Sequence, residues 1–248
     1  MNSSIIIIAK ILISSGYIGN NLADLSQTML VEIIDVINPK FNFTMENKKT
    51  KSSGAVGCVL EDQAILCGGQ NNNEKAGLVF GNSRNTLKLL QKRHQASGVL
   101  IDQQTLWITG HRAYGPEAKS TEFFSLHQPP LKGPDLPCNM FAHSMVKVNH
   151  NTIYILGGGS GYVHKTWKVD PTNNFKFQDG PLFNEGKIGD FPGCAKMKLN
   201  GNIFLVVVGG GSIDENTSVE ILDTSKPEKG WKKGKKHVCI CKYYTVHL

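Results

Sequence analysis

The sequence predicts an all-β protein, a β-propeller of four-stranded antiparallel blades, on three observations. Apolar strands that run into glycine recur about every 48 residues. Turn residues separate short runs with strand alternation, and no segment of useful length has a helical period. One such sheet cannot bury both of its faces alone, so repeated sheets must pack on one another.

The best-formed repeat runs from residue 141 to residue 181. An alternating strand over 143–148 leads through an Asn-rich turn into the apolar strand 152–156, which ends in Gly157-Gly158-Gly159. Two shorter strands follow, around 165–169 and 175–177, and Gly180-Pro181 ends the second of them. Four strands with turn signals between them predict one antiparallel sheet.

The other repeats show the same order of elements. Five apolar strands end at a glycine or its substitute, at Ser15, Gly68, Gly110, Gly157 and Gly209. A strand with an early Glu and a polar end then follows at 31–35, 121–125 and 219–223; 167–170 fits the same register without the Glu, and 78–80 is a weak copy. Strand alternation predicts Ile34, Phe124, Val169 and Leu222 on one face of their sheets.

These repeats divide one domain into 1–51, 52–93, 94–138, 139–186 and 187–236, so about five blades are visible. The first repeat lacks a first strand of its own, and the tail, 237–248, has strand composition. We therefore expect the tail to pair beside 5–13 as a ring-closing strand. A second interpretation stays open, in which the ring is an incomplete six-bladed one.

The repeated features resemble kelch repeats. They are the strand that ends in two glycines, the period of nearly 50, and an aromatic residue before a later glycine, as in Phe177 before Gly180 and Trp231 before Gly234. Ser15 and His111 depart from the pattern by standing in glycine places. The resemblance implies a module that recognises a protein partner through loops at the propeller rim, without a cofactor.

Candidate binding residues follow the third and fourth of the glycine-ended strands. They are His111, Arg112, Tyr114, Tyr162 and His164. Aromatic and Arg side chains in loops on a rigid scaffold are good anchors for a partner. Together with these loops, the resemblance to kelch repeats implies a non-catalytic protein–protein interaction module, and we expect it to be a monomer.

An alternative is a secreted carbohydrate-binding or galactose-oxidase-like propeller. The copper-radical oxidases of this type need a Cys–Tyr cofactor and two His ligands. Cys138, Cys194, Tyr162 and His143 are present, but no spacing marks them as a set. The sequence also lacks G-x-S-x-G and H-E-x-x-H motifs. We therefore predict neither an enzyme nor a bound cofactor.

Charge and composition indicate whether the chain is expected to bind partners other than protein. The formal charge is +7, and six lysines between 226 and 236 supply much of it. No set of interleaved aromatic residues accompanies them, so we expect a solvated strand and turn and no nucleic-acid site. We expect no metal site, because Cys239 and Cys241 lack a zinc-site spacing, and no membrane span, because no apolar run reaches 18 residues. The composition fits a cytoplasmic or a secreted protein.

Overall fold

The structure is a computed structural model that describes residues 10–14, 17–18, 26–27, 31–35, 54–61, 63–69, 76–80, 87–113, 115–159, 164–184, 190–210, 218–234 and 246–247. This part of the chain is all-β apart from two short 3-10 helices, Pro116–Lys119 and Pro227–Lys229.

Sheet 1 combines strands from distant parts of the chain. β1 (Lys10–Ser14) pairs on one side with β4 (Val31–Asp35) and on the other with β21 (Val246–His247), both antiparallel. Leu12 lies opposite His247, and Ile13 lies opposite Val246. β2 (Tyr17–Ile18) and β3 (Ser26–Gln27) form a separate two-stranded ribbon. Two residues of the tail thus pair with β1, and the remainder of 237–248 lies outside the described residues.

Sheets 2 to 5 each contain four consecutive antiparallel strands, as the repeats predict. Sheet 2 contains β5 (Val56–Leu60), β6 (Gln63–Cys67), β7 (Ala76–Phe80) and β8 (Leu87–Lys88). Sheet 3 contains β9 (Ser97–Leu100), β10 (Leu106–Thr109), β11 (Thr121–Phe124) and β12 (Leu131–Lys132). Sheet 4 contains β13 (Ser144–Asn149), β14 (Thr152–Leu156), β15 (Thr166–Asp170) and β16 (Lys176–Asp179). Sheet 5 contains β17 (Gly193–Leu199), β18 (Asn202–Val208), β19 (Val219–Asp223) and β20 (Lys232–Lys233).

Apolar cores join successive sheets because strand side chains alternate between two faces. In β10, Leu106 and Ile108 pack toward sheet 2, whereas Trp107 between them packs toward sheet 4. A further core, which includes Tyr154 and Leu222, lies between sheets 4 and 5. Sheets 3 and 4 therefore bury both faces, which explains why all five residues of β14 are buried.

Phe124, Val169 and Leu222 are all buried, each in the core between its sheet and the preceding one. This confirms the shared face that the sequence predicts for these three positions. The side chain of Ile34 lies outside the described residues.

The last strands of sheets 3, 4 and 5 leave through the same glycine turn. The backbone N–H groups of Gly133, Gly180 and Gly234 donate to the carbonyls of Thr121, Thr166 and Val219. A Cβ on Gly133 or Gly180 would lie 2.3 Å from the neighbouring threonine Oγ1. The close approach requires glycine at both positions, as the matching sequences predict.

The first strands lie beside one another from sheet to sheet. β5 contacts β9, β9 contacts β13, β13 contacts β17, and β17 contacts β21. β1 contacts β5. The series of contacts therefore runs through all five sheets.

One face of sheet 5 is apolar but only partly covered. It carries Ala195, Met197, Val206 and Ile221, and we refer to it as the seam face. Met197 is 42% exposed, whereas Val148 at the matching position of sheet 4 is 5% exposed. The same apolar surface that a neighbouring sheet covers in sheet 4 is thus partly open in sheet 5.

Candidate functional site

The glycine turns and the connections between sheets lie at the same end of the strands. The last residue before each glycine lies opposite the beginning of the first strand, as in Thr109 opposite Ser97 and Leu156 opposite Ser144. Second strands therefore end where first strands begin. We refer to this end as the glycine face; it comprises 68–69, 110–113, 157–159 and 209–210 and the connecting segments 90–96, 137–143 and 190–192.

The glycines let a connecting segment of the next sheet approach closely. Gly110 has φ +75°, and a Cβ there would lie 2.4 Å from the carbonyl oxygen of Met140. Gly158 has φ +104°, and its Cβ would lie 2.8 Å from the carbonyl oxygen of Phe141. These two positions need glycine both for backbone conformation and for space.

Backbone hydrogen bonds link four sheets in series on the glycine face. The N–H of Gln95 donates to the carbonyl of Gly54, the N–H of Ala142 to that of Gln95, and the N–H of Phe191 to that of Ala142, at 2.7–2.8 Å. Each donor lies two residues before a first strand and has a φ of +52° to +56°. Because this conformation is unfavourable for side chains other than glycine, tertiary structure must hold these residues in place.

A buried ion pair fixes the connection into sheet 3. Arg93 Nε lies 2.6 Å from Glu122 Oε1, and the two side chains are 1% and 0% exposed. The guanidinium also donates to the carbonyls of Gly110 and Ser120. Glu122 Oε2 accepts the N–H of Leu90 at 2.7 Å. The pair therefore ties the glycine turn to the connecting segment.

Glu220 binds the connecting segment of sheet 5 in the same way, because it accepts the backbone N–H of Asn184 at 3.0 Å. In sheet 4 the position of the glutamate is taken by Trp167. The corresponding residue of the connecting segment there is Pro137, which has no N–H to donate. In sheets 3, 4 and 5 the glutamate is thus found where the connecting segment offers a backbone donor.

The turn after β10 presents Arg112 at the surface. The N–H of His94 donates to His111 Nδ1 at 2.9 Å, and the N–H of Arg112 donates to the carbonyl of His94 at 2.9 Å. The Arg112 guanidinium lies over the ring of Phe141, with 5.8 Å between Cζ and the ring centroid. This distance permits a cation–π interaction that holds an exposed side chain in position.

Phe141 is itself held by the turn of sheet 4. Its carbonyl accepts the N–H of Gly159 at 2.9 Å. A Cβ on Gly159 would lie only 2.3 Å from the Phe141 ring, so the ring packs directly on the glycine backbone. Arg112 therefore rests on an aromatic surface that belongs to the next sheet.

Asp190, in the segment that leads into sheet 5, adds a carboxylate. Burial raises its pKa above the ordinary value, and the charge of Arg112 acts in the opposite direction. The glycine face thus brings an arginine, an aromatic ring and a half-buried carboxylate from three connections into one region.

His143 lies beneath this surface. It is 4% exposed, and its Nε2 is 2.7 Å from Thr109 Oγ1. Its Nδ1 has no hydrogen-bond partner. Burial lowers the pKa of His143 to about 3, so the side chain is neutral near pH 7.

The predicted binding residues are only partly described. His111 is half-buried, and Arg112 and His164 are exposed. Tyr114 and Tyr162 lie outside the described residues, so the five remain a predicted set. Sequence reasoning missed Phe141, Asp190 and His94. The available signal was their common location just before a first strand, where the repeats place a connecting segment on the glycine face.

The described residues hold no group of three or more His, Cys, Asp or Glu side chains that could bind a metal ion. Cys138 and His143 are both buried, and Cys194 is half-buried. No helix in the described ranges is both long and apolar enough to span a membrane.

Comparison with known proteins supports the fold alone. No family model and no curated protein matches the chain. The fold is similar to that in the solved structure of YjhT, with a TM-score of 0.56 and 14% sequence identity. The match covers 75% of this chain and 66% of that chain. This similarity and the four complete antiparallel sheets are consistent with a β-propeller-like fold.

Proposed function

We propose that this chain is a kelch-type β-propeller that binds a protein partner through its glycine face and catalyses no reaction. The observation that carries the proposal is Arg112, an exposed cation held over Phe141 by turns from two neighbouring sheets. A side chain that is already oriented loses less conformational entropy on binding.

Ring closure by five sheets is part of the proposal. The contacts of β17 with β21 and of β1 with β5 support it, since sheet 1 touches sheet 5 through one strand and sheet 2 through another. The seam face supports it as well, because Val206 and Ile221 need an apolar cover. In this arrangement sheet 1 supplies that cover.

The chemistry of the face favours a partner with an acidic side chain. No described residue forms an ion pair with Arg112 within 4.0 Å. The planar guanidinium can bind a carboxylate through two parallel hydrogen bonds while its plane remains against the Phe141 ring. Exposed His164 lies in the next turn and extends the surface. Half-buried Asp190 would repel a carboxylate that bound in the wrong orientation.

Site-specific photo-cross-linking tests the proposal. A photoreactive residue replaces His164, and the cross-linked products are compared between the wild-type background and Arg112→Glu. We expect a discrete adduct that charge reversal abolishes. Arg112→Lys should give an intermediate yield, because lysine keeps the charge but loses the bidentate geometry.

Lys176→Glu is the matched control, since this exposed residue at the opposite end of sheet 4 undergoes the same change of charge. It should leave the adduct intact. Two results would count against the glycine face as the binding surface. One is an equal yield of adduct in wild type and Arg112→Glu, and the other is an equal loss of adduct in Arg112→Glu and Lys176→Glu. Thermal unfolding of each variant checks that the fold is retained.

A further inference from the structure

His143 occupies the junction between the two turns that build the glycine face of sheets 3 and 4. Its imidazole Nε2 contacts Thr109, the last residue before Gly110. A Cβ on Gly110 would lie 2.8 Å from His143 Cε1, and a Cβ on Gly158 would lie 2.8 Å from His143 Cβ. Both glycine turns therefore pack directly against this residue.

The hydrogen bonds of the imidazole suit only its neutral form. Thr109 Oγ1 can donate its proton to Sδ of Met145, at 3.0 Å, or to the carbonyl of Ser97, at 3.4 Å. The Thr109 oxygen can therefore accept a hydrogen bond from Nε2–H of His143. Nδ1 is then an unprotonated acceptor, and no donor or acceptor faces it among the described residues. A second proton, on Nδ1, would be buried without a partner, which is costly.

The charged groups of the surrounding segments offer little compensation. The connection into β9 carries Arg93, which is paired with Glu122, and His94. The turn after β10 carries His111 and Arg112, β13 carries Lys147, and the turn at 157–159 carries no charge. The segment before β17 carries Asp190, close enough for its pKa to respond to Arg112.

We propose that His143 is an acid-sensitive latch, which holds the two glycine turns together while it is neutral and releases them locally when it is protonated. Phe141 lies two residues away and forms the surface beneath Arg112, so opening of this junction dismantles the candidate site. The effect on partner binding rests on the proposed function, whereas the opening itself does not.

Linkage sets the size of the effect. The pKa of His143 is about 3 in the closed form, and the ordinary value is 6.5. Only the open form therefore takes up a proton between these values. From pH 7.5 to pH 5.0 the equilibrium constant for opening should rise about 30-fold.

Hydrogen exchange, followed residue by residue by NMR on the full chain, measures this opening. Protection factors corrected for the intrinsic pH dependence are compared at pH 7.5 and pH 5.0. We expect a fall of about 30-fold at the amides of His111 and Gly159. Amides in the core between sheets 2 and 3, such as those of Ile65 and Leu106, should change much less.

His143→Gln should remove the selective fall, because glutamine does not take up the proton. His127→Gln is the matched control, since His127 is exposed and pairs with Glu61 far from the junction. A selective fall that persists in His143→Gln would overturn the latch. An equal fall at every amide would overturn it too, because protonation would then act only through global unfolding.

A second measurement needs no variant. The imidazole carbon resonances of His143 in the wild-type protein should show the neutral form from pH 7.5 down to pH 5.0. Titration with a midpoint near 6.5 would refute the proposal even if His143→Gln fails to fold. Both readouts are independent of any partner, so they can succeed when the cross-linking test of the glycine face fails.

Discussion

The pair Arg93–Glu122 permits a quantitative test of what holds the connecting segments in place. Glu122→Gln preserves the shape of the side chain but removes its charge. Arg93 then stays buried among neutral acceptors only, which are the amide oxygen of the new side chain and the carbonyl and hydroxyl groups of Gly110 and Ser120. Breaking one side of a buried pair costs about 3–5 kcal/mol, because the remaining charge has no counter-ion.

The double variant separates the pair from its neighbours. Arg93→Met with Glu122→Gln removes both charges. The double variant should therefore lose less free energy of unfolding than the sum of the losses in the two single variants. We expect a coupling of about 2 kcal/mol between the two residues. The single changes should lower the thermal midpoint by about 10 °C in a chain of this length.

Urea unfolding at pH 7 followed by tryptophan fluorescence provides the free energies, because Trp107 and Trp231 are buried in separate cores. The exposed pair Lys132–Asp135, at 3.5 Å, is the control, and its removal should change stability little. A loss below about 1 kcal/mol for Glu122→Gln, or strictly additive single changes, would refute the reasoning.

Three further predictions concern a turn, a titration and a strand. Gly180→Ala should cost about 2 kcal/mol, because its Cβ would lie 2.3 Å from Thr166 Oγ1, and the cost should shrink in a Thr166→Ala background; chemical denaturation of the four proteins decides this. Burial lowers the pKa of His143 to about 3 in the folded state. The free energy of unfolding should therefore be unaffected by this residue above pH 6.5 and should fall by up to about 5 kcal/mol toward pH 3, because the unfolded chain takes up the proton first. Urea titrations at several pH values should show a flatter profile for His143→Gln, and an identical profile would contradict the burial argument. Deleting 237–248 removes β21 from sheet 1 and should cost several kcal/mol or prevent folding; an unchanged thermal midpoint would argue against a structural role for the tail.

The repeated strands could be predicted from the sequence because their signals are local. A polar turn, an apolar strand and a glycine follow one another within ten residues, as they do around β14, Thr152–Leu156. The early Glu of the third strand was visible as a pattern, but its role was not. Glu122 and Glu220 accept N–H groups from residues 32 and 36 positions earlier, and no spacing rule identifies such partners.

The candidate site was harder to predict for the same reason. Arg112 stands out in the sequence as one of three arginines. Its aromatic support, Phe141, is 29 positions away and belongs to another repeat, so only the packing of sheet 3 against sheet 4 brings the two together. The buried state of His143 likewise depends on two glycine turns that meet only in the folded protein.

The split construction of sheet 1 has a consequence for the order of folding during synthesis. Sheets 2 to 5 use consecutive strands, so each can form as soon as its own segment has left the ribosome. β1 and β21 are separated by roughly 235 positions, and their pairing must wait until residue 247 has been synthesised. Until then β1 exposes an open backbone edge and sheet 5 exposes apolar side chains, which is the condition that favours aggregation. Chains in which β1 and β21 have not yet paired are therefore the most prone to aggregate, because both surfaces remain open.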